Sequence, residues 1–243
     1  TLIKIKFRDE SLRKKIKANI TKFDKSILLF LPNIKKIKLC IKEGSESKNY
    51  VYEKKIDGNK VKIRTIENGT DVETRGFILE EREKKLDIGD EYSKNIKMAI
   101  AIPEMPQANY GLYTFFPISD ERSPFKALLH ATFCLSPNRN QLDNDKKELN
   151  KAIFKALLDF YVDFVTKNIE PPKCLELLMP VDMHESLSES FEFPGGLHLG
   201  CENHYINKCC EYPVFSNVNA EALKKSDYPV ILYEAPRVLE GSI

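Results

Sequence analysis

Between Asp145 and Lys167, Leu149, Ile153, Ala156, Leu157, Phe160, Phe164 and Val165 recur at three- and four-residue steps. That period winds all of them onto one side of an α-helix and predicts a continuous apolar stripe. Asp143 or Asn144 stands where an N-cap belongs, and Pro171-Pro172 ends the pattern. A stripe of this length has to be covered, so the rest of the chain has to fold around it. The same spacing suits a partner helix, but core packing is the ordinary use of such a face.

Upstream the period changes from helical to alternating. Tyr50 to Ile56 and Val61 to Ile66 flank Asp57-Gly58-Asn59, and Asn68-Gly69 turns the chain again into Thr74 to Glu83. Asp-Gly and Asn-Gly tolerate the positive φ of tight turns, so these segments predict antiparallel hairpins. Ile34 to Ile41, Asn95 to Pro103 and Tyr110 to Phe116 supply further strands. Before them, Asp9 is placed to cap a basic helix, Glu10 to Ile20, with Leu12 and Ile16 inward, and Lys25 to Phe30 makes a turn stopped by Pro32. Meander strands followed by a long helix predict an α+β fold, a mostly antiparallel or mixed sheet with helices packed on one face. A small irregular C-terminal subdomain follows.

The chemistry concentrates just before the long helix. An apolar run, Phe125 to Leu135, gives way to Ser136-Pro-Asn-Arg-Asn-Gln141. This turn places one guanidinium among small hydrogen-bonding residues at a defined place. Arg139 keeps its charge at any working pH and presents five fixed donors, which suits a phosphate or carboxylate. Two roles stay open on the residues alone: an anion grip, or a structural tie to Asp143 or Asp145. His130, inside the apolar run, has no Ser or Cys nucleophile at an identifiable spacing, so a satisfied core histidine is expected. Phe115 and Phe116 are expected in the core.

The stretch resembles the middle-domain catalytic loop of the gyrase, heat-shock chaperone, histidine kinase and mismatch-repair (GHKL) ATPase superfamily, in its sacsin-like and bacterial chaperone-like forms. The resemblance is carried by Phe116-Pro117, Pro124-Phe125, the His-Ala-x-Phe segment His130 to Phe133, and Asn138-Arg139-Asn140. Ser26 to Lys38 is similar to the junction after the ATPase domain, and Thr1 to Phe7 to that domain's last strand. The likeness spans residues 1–170 through short motifs. It implies that Arg139 reaches the terminal phosphate of ATP bound in the preceding domain, with Asn138, Asn140 and Gln141 in support. It also implies that ATP and Mg2+ belong to the parent protein, and no cofactor is expected for this chain alone. The superfamily's nucleotide boxes, a Glu and Asn on one helix, an Asp-x-Gly turn and a Gly-rich lid, would lie before Thr1. The expected organisation is the end of an ATPase domain with connecting helices (1–32), a transducer or middle domain (33–170) and a partial C-terminal subdomain (171–243).

Composition narrows the partners. Lys+Arg 38 against Asp+Glu 36 gives a formal charge of +2, which supplies no general pull on nucleic acid or membrane. The basic residues Arg13, Lys14, Lys15, Lys17, Lys35, Lys36 and Lys38 are expected to form the solvated face of elements buried on their other side. Six Cys without a secretory leader fit reduced thiols, with Cys40 and Cys134 as small core hydrophobes. A trimmed cytoplasmic segment is the expectation. Its partners would be the preceding ATPase domain and either a second copy or a protein client, with no membrane and no nucleic acid.

Beyond Pro171, His198-x-x-Cys201-x-x-His204 and Cys209-Cys210 offer zinc-type ligands at a spacing that matches no standard finger or ribbon. His198, Cys201, His204 and Cys209 are therefore candidates only, against a partly buried strand-and-turn segment with reduced thiols. Two further functions stay in view. One is a non-catalytic interaction scaffold with a structural Arg139; the other is a zinc-containing nucleic-acid module on residues 198–210.

Overall fold

The computed structural model describes residues 9–21, 23–43, 45–88, 92–107, 109–171, 173–181, 199–216 and 222–224. Two helices come first, α1 (Glu10–Thr21) and α2 (Ile27–Phe30). Five strands run in meander, β1 (Lys36–Glu43), β2 (Glu46–Asp57), β3 (Lys60–Glu67), β4 (Thr70–Ile88) and β5 (Tyr92–Pro103). A hairpin of β6 (Gly111–Thr114) and β7 (Phe116–Arg122) precedes β8 (Leu128–Ala131). A short 3-10 turn, Asn144–Lys146, leads into α3 (Lys147–Asn168), followed by α4 (Lys173–Leu178), α5 (Glu202–Cys209), β9 (Pro213–Ser216) and β10 (Ala222–Lys224). The fold is α+β, with a mixed sheet.

Among the described residues eight strands form one sheet in the order β1-β2-β3-β4-β5-β8-β6-β7, and β9 pairs with β10 separately. Every neighbouring pair in the large sheet is antiparallel except β6 and β8, which pair in parallel through Leu112–Leu129 and Tyr113–His130. Turn chemistry sets the hairpins. Gly58 (φ 59), Asn68 (φ 48) and Gly69 (φ 89) occupy the left-handed region that the two tight turns require.

Strand β5 divides two cores. Ile96, Met98, Ile100 and Ile102 join one cluster with α3, α4 and α5, whereas Ala99 and Ala101 join another with Ile27 to Phe30 of α2. Because neighbouring residues of a strand point to opposite faces, α3 covers one face of the sheet and α2 the other. Helical cover is thus not confined to a single face. The predicted stripe of α3 is buried from Ile153 to Val165, with Leu149 half-buried at its start and Ile153, Leu157 and Val165 fully inaccessible, and it packs against β4, β5 and β8. Lys54, itself buried, closes α2 by donating from Nζ to the Leu31 carbonyl at 2.7 Å. Tyr113 hydroxyl donates to Asp24 Oδ2 at 2.7 Å on the same side, and its burial and that carboxylate push the phenol well above its ordinary range.

Several expectations are corrected. Leu12 and Cys40 are exposed rather than buried, and Phe116 stands 57% exposed at the β6–β7 tip, where Phe115 takes φ 64. Placing Phe115 at that turn sends its ring back onto His130 and leaves Phe116 on the open side of an edge strand. Residues 202–209 form a helix rather than strand and turn, its inner side made by Tyr205 and Cys209 with Cys201 just before it. Arg13, Lys14, Lys15, Lys35, Lys36 and Lys38 are exposed, as expected of a solvated face. No helix among the described residues is long and apolar enough to cross a membrane. The predicted strand Thr1 to Phe7 and the segment Pro229 to Tyr233 lie outside the described residues, as does His198.

Candidate functional site

The loop between β8 and α3 is a small closed structure. After β8, Thr132 exchanges backbone and side-chain bonds with Lys97 of β5, and Phe133 is buried. The chain then doubles back: Leu135 bridges Leu142, Ser136 N–H donates to the Gln141 carbonyl at 3.1 Å, and Asp143 N–H donates to the Cys134 carbonyl at 2.9 Å. Leu142 tucks its side chain into the core beneath. Residues 136–141 form the exposed cap of this narrow neck.

Within the cap, Ser136 and Asn138 bond through their side chains, and Arg139, Asn140 and Gln141 through their backbone. Ser136 hydroxyl lies 2.7 Å from Asn138 Oδ1 and 3.0 Å from the Gln141 carbonyl, sharing one proton between them. Asn138 Oδ1 also accepts from Asn140 N–H at 3.1 Å, a local turn that suits a residue able to bond two positions on. Asn140 carbonyl accepts from Asp120 N–H at 2.9 Å, tying the cap to edge strand β7. Asn138 is therefore a turn-maker, and Gln141 takes part through its backbone.

Arg139 sits at the crown with φ 60, its N–H donating to the Ser136 carbonyl at 2.8 Å. A left-handed conformation costs a non-glycine residue on the order of 1–2 kcal/mol. Its side chain is exposed, and among the described residues it makes no ion pair. The structural tie to Asp143 or Asp145 is absent: Asp143 Oδ1 instead accepts from Asp145 N–H at 3.0 Å and caps the 3-10 turn, as its position before the helix predicted.

The residue that sequence reasoning missed is Asn150. It lies in the first turns of α3 with no accessible surface. Its Oδ1 accepts from Cys134 N–H at 2.8 Å, while Nδ2 donates to the carbonyls of Cys134 at 2.9 Å and Asp143 at 3.3 Å. One side-chain amide thus closes both strands of the neck. The signal was present: Asn150, Phe154, Leu157 and Tyr161 follow a four-, three- and four-residue step, so a polar residue falls on the buried stripe, where it needs partners.

His130 is buried, 4% exposed, stacked on Phe30 with ring centroids 5.2 Å apart and edge-on to Phe115 at 5.0 Å. Among the described residues neither ring nitrogen has a hydrogen-bond partner, so it is a core histidine but not a satisfied one. Burial pushes it down to about 4, which keeps it neutral at ordinary pH.

A cavity of about 730 Å³ lies elsewhere, where the turn before α2, the first half of β4, the end of β5 and the β6–β7 hairpin meet, and residues 136–141 do not line it. Its wall sets the carboxylates of Asp24, Glu73, Glu104 and Glu121 against Arg75 and Arg122, an excess of negative charge that does not suit a phosphate. At the other end of the molecule, among the described residues no group of three His, Cys, Asp or Glu is arranged to hold a metal. Cys201 and Cys209 are buried thiols, Cys201 pushed up to about 11 by burial, and His204 Nε2 lies 2.7 Å from Asp159 Oδ1. All six cysteines are free.

No family model, curated protein or solved structure matches this chain. The likeness to the GHKL ATPases rests on its sequence motifs.

Proposed function

We propose that this chain is the transducer or middle region of a chaperone-like ATP-binding protein, and that Arg139 contacts the γ-phosphate of ATP held in a nucleotide domain preceding Thr1. The observation that carries the proposal is the state of that one side chain. It is fully charged, exposed, unpaired among the described residues, and raised on a cross-braced loop in a strained backbone conformation. Strain of this kind persists only where surrounding structure over-determines it, and it marks ligand clamps and switch regions.

In phosphoryl transfer the protein contributes positioning and charge stabilisation, and an arginine brought in from outside the pocket neutralises the γ-phosphate oxygens as the bond to the leaving group breaks. Asn138, Asn140 and Gln141 support the role by holding the crown of the loop. ATP and Mg2+ are assigned to the preceding domain. A rigid body rooted by α3 would carry Arg139 in and out of that pocket as the domains close and open, which couples nucleotide state to domain motion. A cytoplasmic setting goes with this proposal and agrees with six free thiols.

The test is Arg139→Ala in the full-length protein. Hydrolysis falls on the order of 100- to 1,000-fold, while the dissociation constant for ATP moves only a few-fold. Equal turnover in the two proteins refutes the assignment and favours a non-catalytic scaffold instead.

A further inference from the structure

We infer that Asn150 is the positioning residue of the Arg139 loop, the group that converts a rigid helix into a fixed place for the guanidinium. The inference rests on the phosphate role proposed for Arg139 and adds to it the means by which the loop is aimed.

The geometry is that of a surrogate strand. A carboxamide offers an acceptor and a donor side by side, like a peptide group, and Asn150 uses them to pair with both the N–H and the carbonyl of Cys134 at 2.8 and 2.9 Å. The second Nδ2 proton reaches across to the Asp143 carbonyl at 3.3 Å. Cys134 and Asp143 are the two legs of the neck and are also bonded to each other. The loop is therefore fastened to α3 at its base on both sides, while Asp120 of β7 holds its crown. All three of these bonds run to the loop, and none runs along the helix or to the sheet.

A role confined to starting α3 does not account for this. Asn150 bonds no N–H of the first turn of α3, whose own N-cap Lys146 makes no side-chain bond, while Asp143 caps only the 3-10 turn before it; and an amide with no accessible surface is costly to bury unless its bonds are made. The side-chain types separate the possibilities. Aspartate has nearly the same shape and can accept from Cys134 N–H, but it cannot donate to either carbonyl and places negative charge against both. Serine is smaller and reaches neither leg. A loop loosened at its base lets Arg139 wander, and misplacing a catalytic group by about 1 Å costs on the order of 100-fold.

The experiment compares Asn150→Asp, Asn150→Ser, Ile153→Val and Arg139→Ala in the full-length protein, by steady-state ATP hydrolysis and by amide hydrogen exchange. Ile153→Val loosens α3 one turn further on, without touching the neck. Asn150→Asp is expected to lower kcat at least tenfold with KM for ATP within twofold, and to speed exchange at the Cys134, Arg139 and Asp143 amides while Leu157 to Val165 stay protected. Ile153→Val is expected to leave kcat unchanged. If Asn150→Asp does not fold, Asn150→Ser carries the same two readouts. Turnover in the Asn150 variants equal to that of Ile153→Val, with Arg139→Ala impaired, overturns the positioning role alone. Unimpaired Arg139→Ala overturns the phosphate role, and the positioning role with it.

Discussion

One buried histidine should add its own contribution to the acid destabilisation of this fold, and the size of that contribution follows from its surroundings. His130 is 4% exposed between the rings of Phe30 and Phe115, and burial lowers it from 6.5 to about 4. In the unfolded chain the same imidazole takes a proton near its ordinary value. Between those two values the unfolded state binds the extra proton, so stability rises with pH there. The contribution is fully present above 6.5 and is lost as pH falls through about 4, below which both states are protonated. At 1.36 kcal/mol per unit the window is worth roughly 3 kcal/mol, a large share of the ~5–15 kcal/mol typical of a domain.

The perturbation is His130→Leu, of similar volume and without a proton to bind. Both ring nitrogens lack partners among the described residues, so removing them at pH 7 leaves stability unchanged or raises it by about 1–3 kcal/mol. The assay is urea unfolding of both proteins at intervals from pH 7.5 to 4. Carboxylates contribute to both curves, so the difference between them isolates the histidine. That difference should widen by roughly 3 kcal/mol as the pH falls. Parallel curves would refute the reasoning, as would a variant destabilised at pH 7 by more than about 2 kcal/mol, since that requires a bond the histidine does make.

The remaining predictions concern packing and backbone. Leu157→Ala opens a cavity at a fully buried position of α3 and should cost about 2–5 kcal/mol, whereas Phe116→Ala, at a site 57% exposed, should stay within about 0.5 kcal/mol; denaturant midpoints measured side by side decide. Arg139→Gly removes the penalty of φ 60 and should raise stability by up to about 1 kcal/mol even as it abolishes the proposed activity, and a lower melting temperature would contradict the strain.

What the sequence made legible was whatever repeats or punctuates. Alternation bounded by Asp57-Gly58 and Asn68-Gly69 located the hairpins, and the stripe from Leu149 to Val165 located α3. Strand β8 was hidden in an apolar run because all four of its residues are buried and nothing alternates. Its place between β5, which it meets antiparallel, and β6, which it meets in parallel, is a non-local pairing that no local pattern encodes. Helix α5 was not legible because its buried side, the four-residue step from Cys201 to Tyr205 to Cys209, is made of residue types that also serve as metal ligands and spans only two turns. At the site, Arg139 was visible as a charge in a polar turn. Its exposure and its backbone strain were not, and Asn150 is marked only as a polar residue in step with the buried side of α3.

The three features of the loop pull in one direction when weighed as free energy. Holding Arg139 in the left-handed region costs on the order of 1–2 kcal/mol that Gly would avoid. Burying Asn150 completely brings no apolar transfer energy, and its bonds return only about 0.5–1.5 kcal/mol each after the lost bonds to water. The guanidinium itself, exposed and unpaired among the described residues, adds nothing to packing. A loop built for stability alone would carry Gly at its crown and an apolar side chain at the foot of the helix, with a neck free to adjust. The loop here gives up stability at one position and fixes its geometry at another, and what that arrangement secures is a constant position for one positive charge relative to α3. Such constancy is what the proposed contact with a phosphate would require of the loop.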